Sequence, residues 1–86
     1  MIKKPHLITY WVTFPDLGDL HRGFGVTAYS LDDAFNLLKD IGSDYHQQGY
    51  HSEVTENISI EQIDSQIKYN MGPTIIRGVW YPFQNL

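Results

Sequence analysis

The segment from Ser30 to Gly42 admits one local structure, and it decides what the rest of the chain must supply. Leu31, Ala34, Phe35, Leu38 and Ile41 recur at helical spacing, with Leu37 at the margin, so one face is apolar. Asp32, Asp33, Asn36, Lys39 and Asp40 fall on the other face. Ser30 is placed to cap the first turn, the two aspartates suit its positive dipole end, and Gly42 suits a left-handed stop. A helix with a single apolar stripe must bury it, and in a one-domain chain of 86 residues the available partner is a sheet.

The pattern on either side supplies that sheet. From His6 to Phe14 the chain alternates: Ile8, Tyr10, Val12 and Phe14 on one face, Leu7, Thr9, Trp11 and Thr13 on the other. Pro15-Asp16-Leu17-Gly18-Asp19 has turn chemistry for a five-residue hairpin loop. A second strand then runs from Leu20 to Tyr29, with Leu20, Phe24, Val26 and Ala28 together. Setting Phe14 opposite Leu20 pairs Tyr10 with Phe24, Ile8 with Val26, Trp11 with Gly23 and Thr9 with Gly25. The glycines then make room for Trp11 to lie across them, unless one of them marks a bulge.

Beyond the helix the signals are weaker. Residues 43–52 have loop composition. Glu53 to Ile58 can form a third strand with Val54 as its apolar contact. Ser59-Ile60-Glu61-Gln62 has capping-box spacing, with Ile60, Ile63 and Ile67 on one side of a short helix or turn. Thr74 to Phe83 reads as a last strand, Ile75, Val79, Tyr81 and Phe83 alternating against Ile76, Gly78 and Trp80, and Pro82 ends it or marks an edge. The expected fold is α+β: a three- or four-stranded, mainly antiparallel sheet in ββα order at the N-terminal half, with the 31–41 helix on one face.

Thr27-Ala28-Tyr29-Ser30 leading into Asp33-Ala34, with Asn70-Met71-Gly72-Pro73 and Arg77-Gly78-Val79-Trp80-Tyr81-Pro82, resembles a group of short bacterial proteins without an assigned activity. In size and acidity the chain is also similar in kind to immunity proteins of contact-dependent toxin systems. That second resemblance implies a non-enzymatic inhibitor of a toxin domain.

Catalytic motifs are absent from the sequence. With no cysteine there is neither a disulfide nor a thiolate metal site, and no Gly-x-Ser-x-Gly elbow occurs. Gly23-Phe24-Gly25 lies within a strand and lacks the remaining spacing of a dinucleotide loop. Four histidines (His6, His21, His46, His51) invite a metal or acid–base reading, but His46 and His51 are not at the i, i+4 spacing of a helical zinc motif, so they read as two surface histidines, with a metal site converged by the loop as the weaker alternative. Asp32 and Asp33 read as solvated helix-terminal acids. Neither a metal nor a cofactor is expected. The N-terminus lacks a signal-peptide core, and no segment reaches membrane-spanning length, so a soluble, cytoplasmic protein is the expectation. A net charge of −4 argues against nucleic-acid binding.

The charge is unevenly distributed. Asp40, Asp44, Glu53, Glu56, Glu61 and Asp64 fall between residues 40 and 67 with no Lys or Arg among them, whereas the remainder carries six cations against four acids. Tyr45, His46 and Tyr50 are interleaved with these acids. The set Asp40, Asp44, Tyr45, His46, Tyr50, Glu53, Glu56, Glu61 and Asp64 therefore reads as a surface for a basic protein partner, or as a merely solvated acidic loop. A second candidate is an aromatic sheet face around Trp11, Arg77 and Trp80, with Arg77 stacked on Trp80 or Tyr81 or paired with a carboxylate. That face would take a small molecule, or serve as a minor second core.

Overall fold

The computed structural model of the chain describes residues 6–17, 23–62 and 71–82. Alternation near the N-terminus becomes strand β1 (Ile8–Thr13), with Tyr10, Val12 and Phe14 buried on one face. Strand β2 (Phe24–Ala28) lies antiparallel to it and contributes Phe24, Val26 and Ala28 to the same side. The register pairs Ile8 with Ala28, Tyr10 with Val26, Trp11 with Gly25 and Val12 with Phe24, two residues along from that expected. A tight five-residue loop is replaced by a wider connection opening with a 3-10 turn at Pro15–Leu17, where the Leu17 N–H donates to the Phe14 carbonyl at 3.0 Å. An even slip returns every side chain to its own face, so the core composition survives the change. Leu20, placed in this strand by pattern, lies outside the described residues.

Only Tyr29 and Ser30 separate β2 from helix α1 (Leu31–Asp40). Ser30 is extended and its Oγ accepts the Asp33 N–H at 3.1 Å, the capping bond the sequence predicts. At the other end Ser43 N–H donates to Leu38 C=O at 2.8 Å and Gly42 N–H to Lys39 C=O at 3.0 Å, with Gly42 at φ 87°. This paired closure requires the left-handed residue that glycine adopts without strain. Ala34, Phe35 and Leu38 are buried against the sheet. Ile41, expected on the apolar stripe, is exposed because it is the C-cap and its backbone has left the helical phase.

Strand β3 (Glu53–Glu56) adds to the outer side of β1 and β4 (Gly78–Tyr81) to the outer side of β2, giving the antiparallel order β3-β1-β2-β4 with α1 over β2 and β4. Val54 packs against the helix-side core, as its position opposite Val12 dictates. β3 is shorter than the Glu53–Ile58 run expected, since Asn57 turns to φ 55°. The last strand is also shorter. Ile75 and Ile76 precede it and are 84% and 59% exposed, Phe83 lies outside the described residues, and Pro82 follows its end.

β4 breaks its own alternation. Val26 pairs with Val79 and Gly25 with Tyr81, so Trp80 is an extra residue on β4, a bulge. Val79 stays with the helix-side core, while Trp80 and Tyr81 both reach the opposite face, where they meet Trp11, Ile58 and Met71. The Trp80 ring lies flat on the backbone of Gly25, and a Cβ there would sit 2.4 Å from it. Trp11 occupies the same relation to Gly23, at 2.9 Å. The expectation that Trp11 covers both glycines thus divides between two indoles. Gly25→Ala should destabilise the fold by about 3 kcal/mol through overpacking, against about 1 kcal/mol for Gly42→Ala, which meets open space but must hold a left-handed backbone. Urea denaturation of both variants checks the order, and the Gly25→Ala effect should shrink in a Trp80→Leu background.

Candidate functional site

The loop that follows α1 is ordered by its own residues. Gln48 N–H donates to Asp44 C=O, Gly49 N–H to His46 C=O and Tyr50 N–H to Tyr45 C=O, at 3.0–3.1 Å. Gln48 Nε2 also donates to Asp44 Oδ1 at 2.8 Å, and Gln47 Nε2 to the Phe35 carbonyl at 3.4 Å. The His46 imidazole stacks face to face on Phe35, 3.7 Å between centroids. Tyr45 turns inward against Phe14 and Phe24, and Tyr50 packs edge-on against it at 5.9 Å. Tyr45 therefore closes the end of the helix-side core instead of serving as an exposed anchor, and Tyr50 carries the exposed ring of the pair.

From Tyr50 the chain runs into β3, so Tyr50, Glu53 and Glu56 lie just before and on that strand, while Asp44 sits in the turn that follows α1. The strand's pleat sends the two glutamates to opposite faces: Glu53 is opposite Thr13 on the tryptophan side, Glu56 opposite Tyr10 on the helix side. Both are exposed. The Tyr10 phenol is pushed above its ordinary pKa, first by burial and then by the Glu56 charge. The other predicted acids are elsewhere. Asp40 lies two turns along α1 from Asp33 on the same stripe, on the side of Arg77, whose pKa its charge helps to raise. Glu61 sits in a 3-10 turn (Ile60–Gln62) beyond β3, anchored where Ser59 N–H donates to Gln62 Oε1 at 2.9 Å. Asp64 is outside the described residues, as are Ile63 and Ile67. The nine-residue surface read from charge order is thus divided, and its coherent part is the β3 flank.

Arg77 belongs to neither candidate face. It precedes β4 and reaches the N-terminal turn of α1, where its Nε donates to Asp33 Oδ2 at 2.9 Å and its Nη2 to Asp33 Oδ1. Its guanidinium lies 5.9 Å from the Tyr29 ring centroid, not on Trp80 or Tyr81. The same Asp33 carboxylate accepts the Tyr29 N–H at 3.1 Å, so Asp33 is a hub joining β2, α1 and the approach to β4, not a solvated helix acid. The bidentate Arg77 contact, with the Tyr29 N–H, holds the Asp33 carboxyl below the usual carboxylate range. Pairing with Asp33 raises the Arg77 guanidinium correspondingly.

On the face away from α1, Trp11 meets Trp80 at 6.0 Å and Tyr81 at 5.5 Å between centroids. Trp80 is buried, and its indole Nε1 has no hydrogen-bond partner among the described residues. The tryptophans therefore do share the face expected for them, as the centre of a second small core. Among the described residues no three His, Asp or Glu side chains converge on a common point, and no helix is long and apolar enough to cross a membrane. No protein-family model, curated protein or solved structure matches the chain.

The depressed Asp33 pKa fixes the sign of a pH effect. The hub's contribution is fully present above the unfolded carboxyl value of about 3.9 and is lost as pH falls through the lower folded value. Asp33→Asn should therefore lower the thermal midpoint at pH 7, and the gap between variant and parent should narrow as pH falls below the unfolded carboxyl value and through the lower folded one. Melting curves at pH 7, 4 and 2.5 check this; a constant gap would place the effect elsewhere.

Proposed function

We propose that this chain is a non-enzymatic protein inhibitor that binds a basic partner through the acidic flank of β3, in the manner of an immunity protein occupying the phosphate-binding groove of a toxin nuclease. The observation that carries this reading is Glu53 and Glu56 exposed on the two faces of β3, with an exposed Tyr50 just before the strand, Asp44 in the loop that leads to it, and no Lys or Arg between residues 40 and 67. Acids in this arrangement steer a cationic surface into register, and a tyrosine held by a second ring presents apolar area at low entropic cost. The rigid loop beneath them means little ordering remains to be done on binding. Asp40 and Glu61, on other parts of the surface, contribute to the long-range field rather than to contact.

A second reading has one observation in its favour. The unpaired Trp80 indole N–H, beside a half-exposed Trp11, would suit a small molecule bearing an acceptor. Ligand binding there would change tryptophan emission on titration with a metabolite panel, whereas the inhibitor reading predicts no response to those small molecules.

Affinity capture from the native host should yield a basic protein that binds stoichiometrically. Neutralising Asp44, Glu53 and Glu56 together (Asp44→Asn, Glu53→Gln, Glu56→Gln) should slow association with it by roughly tenfold or more and flatten the dependence of the on-rate on salt. Stopped-flow or surface-based kinetics across ionic strength measure both, and unchanged kinetics would remove the electrostatic basis of the proposal.

A further inference from the structure

β3 is a terminal strand of the sheet, and its main-chain groups divide by position. Beyond the strand's end Asn57 N–H donates to Thr9 C=O at 2.7 Å, which makes Thr9 and Asn57 a hydrogen-bonded pair in the β1–β3 register. Antiparallel pairs alternate, so Thr55 with Trp11 and Glu53 with Thr13 also turn toward β1. Val54 and Glu56 must then point their N–H and C=O groups outward, and among the described residues nothing bonds to them. The opposite margin differs, since Gly72 N–H caps the Trp80 carbonyl at 2.7 Å.

We propose that this open edge takes up an extended, basic segment of the partner as a fifth, antiparallel strand. The inference rests on the acidic-flank reading and specifies how that flank is used. Val54 and Glu56 would each exchange two main-chain bonds with the incoming strand. Side chains on the two faces then dictate its sequence. Running antiparallel, it meets Glu56, Thr55, Val54 and Glu53 in turn, so the fitting pattern is basic, any, apolar, basic. The apolar residue would lie beside Val54 on the helix face, extending the contact Val54 already makes with the core. The two cations fall on opposite faces, each facing one glutamate. Charge also weighs against a second copy of this chain, because pairing two such edges gathers Glu53 and Glu56 of both copies along one seam.

The test uses the intact protein and a cyclic β-hairpin peptide whose outward strand reads Lys-Thr-Val-Lys. Two control hairpins are needed, one N-methylated at the first Lys and the Val, one with Glu for both Lys. Titration into isotope-labelled protein should protect the Val54 and Glu56 amides from exchange. The N-methylated copy should bind roughly tenfold more weakly, having lost its edge bonds, and the Glu copy should not bind. Failure of the Lys hairpin to bind overturns the proposal. Equal binding by the N-methylated copy, or protection of other amides, overturns the edge mode while leaving the acidic-flank reading intact. Equal binding by the Glu copy removes the charge selection. Self-association through the same amides, read by sedimentation, would assign the edge to a second copy instead.

Discussion

The indole of Trp80 resting on the bare backbone of Gly25 is the contact around which the two faces of the sheet are arranged. It exists because β4 carries one residue too many opposite Gly25 and Val26, which rotates Trp80 and Tyr81 onto the same side. Val79, just before the bulge, stays with the helix-side core. One irregularity therefore serves two cores: it keeps Val79 in the apolar layer under α1 and supplies Trp80 and Tyr81 to the layer on the other side, where they meet Trp11, Ile58 and Met71. In a chain this short, burying an indole on the second face adds apolar area that a single helix could not cover.

How far the sequence disclosed this follows from the range of each interaction. Helix α1 was readable because its determinants are local, Ser30 at the cap, Gly42 at the stop and Ala34, Phe35 and Leu38 between them. The β1–β2 pairing was readable by face but not by register: an even slip leaves Tyr10, Val12, Phe24 and Val26 on the core side, so alternation cannot tell the two registers apart. The bulge was invisible for the complementary reason, since strict alternation assumed through 74–83 puts Trp80 and Tyr81 on opposite sides. A glycine at position 25 was the available hint that something large must lie there.

The site was legible in charge and poorly legible in space. The acids between residues 40 and 67 share one cation-free interval of the sequence, yet Asp40 lies on the Arg77 side of α1 and Glu61 sits beyond β3. Asp33 shows the same limit from the other direction. Nothing local marks it as different from Asp32, but on the helix its carboxylate alone meets Arg77, 44 residues away in sequence. Tyr45 and Tyr50 looked equivalent as loop tyrosines, and only the position of Phe14 and Phe24 distinguishes the one that fills the core from the one left outside.

Glu53 and Glu56 illustrate why placement on a strand matters more than count. Three positions apart on a strand, they cannot share a face, so they cannot form a single carboxylate pair for acid–base work or metal binding. What they can do is mark both faces of one edge with negative charge. An edge so marked repels its own likeness, the ordinary protection of an exposed strand against aggregation. The same marking lowers the barrier for any strand of opposite charge, so on the proposed reading protection and recognition fall to the same few residues.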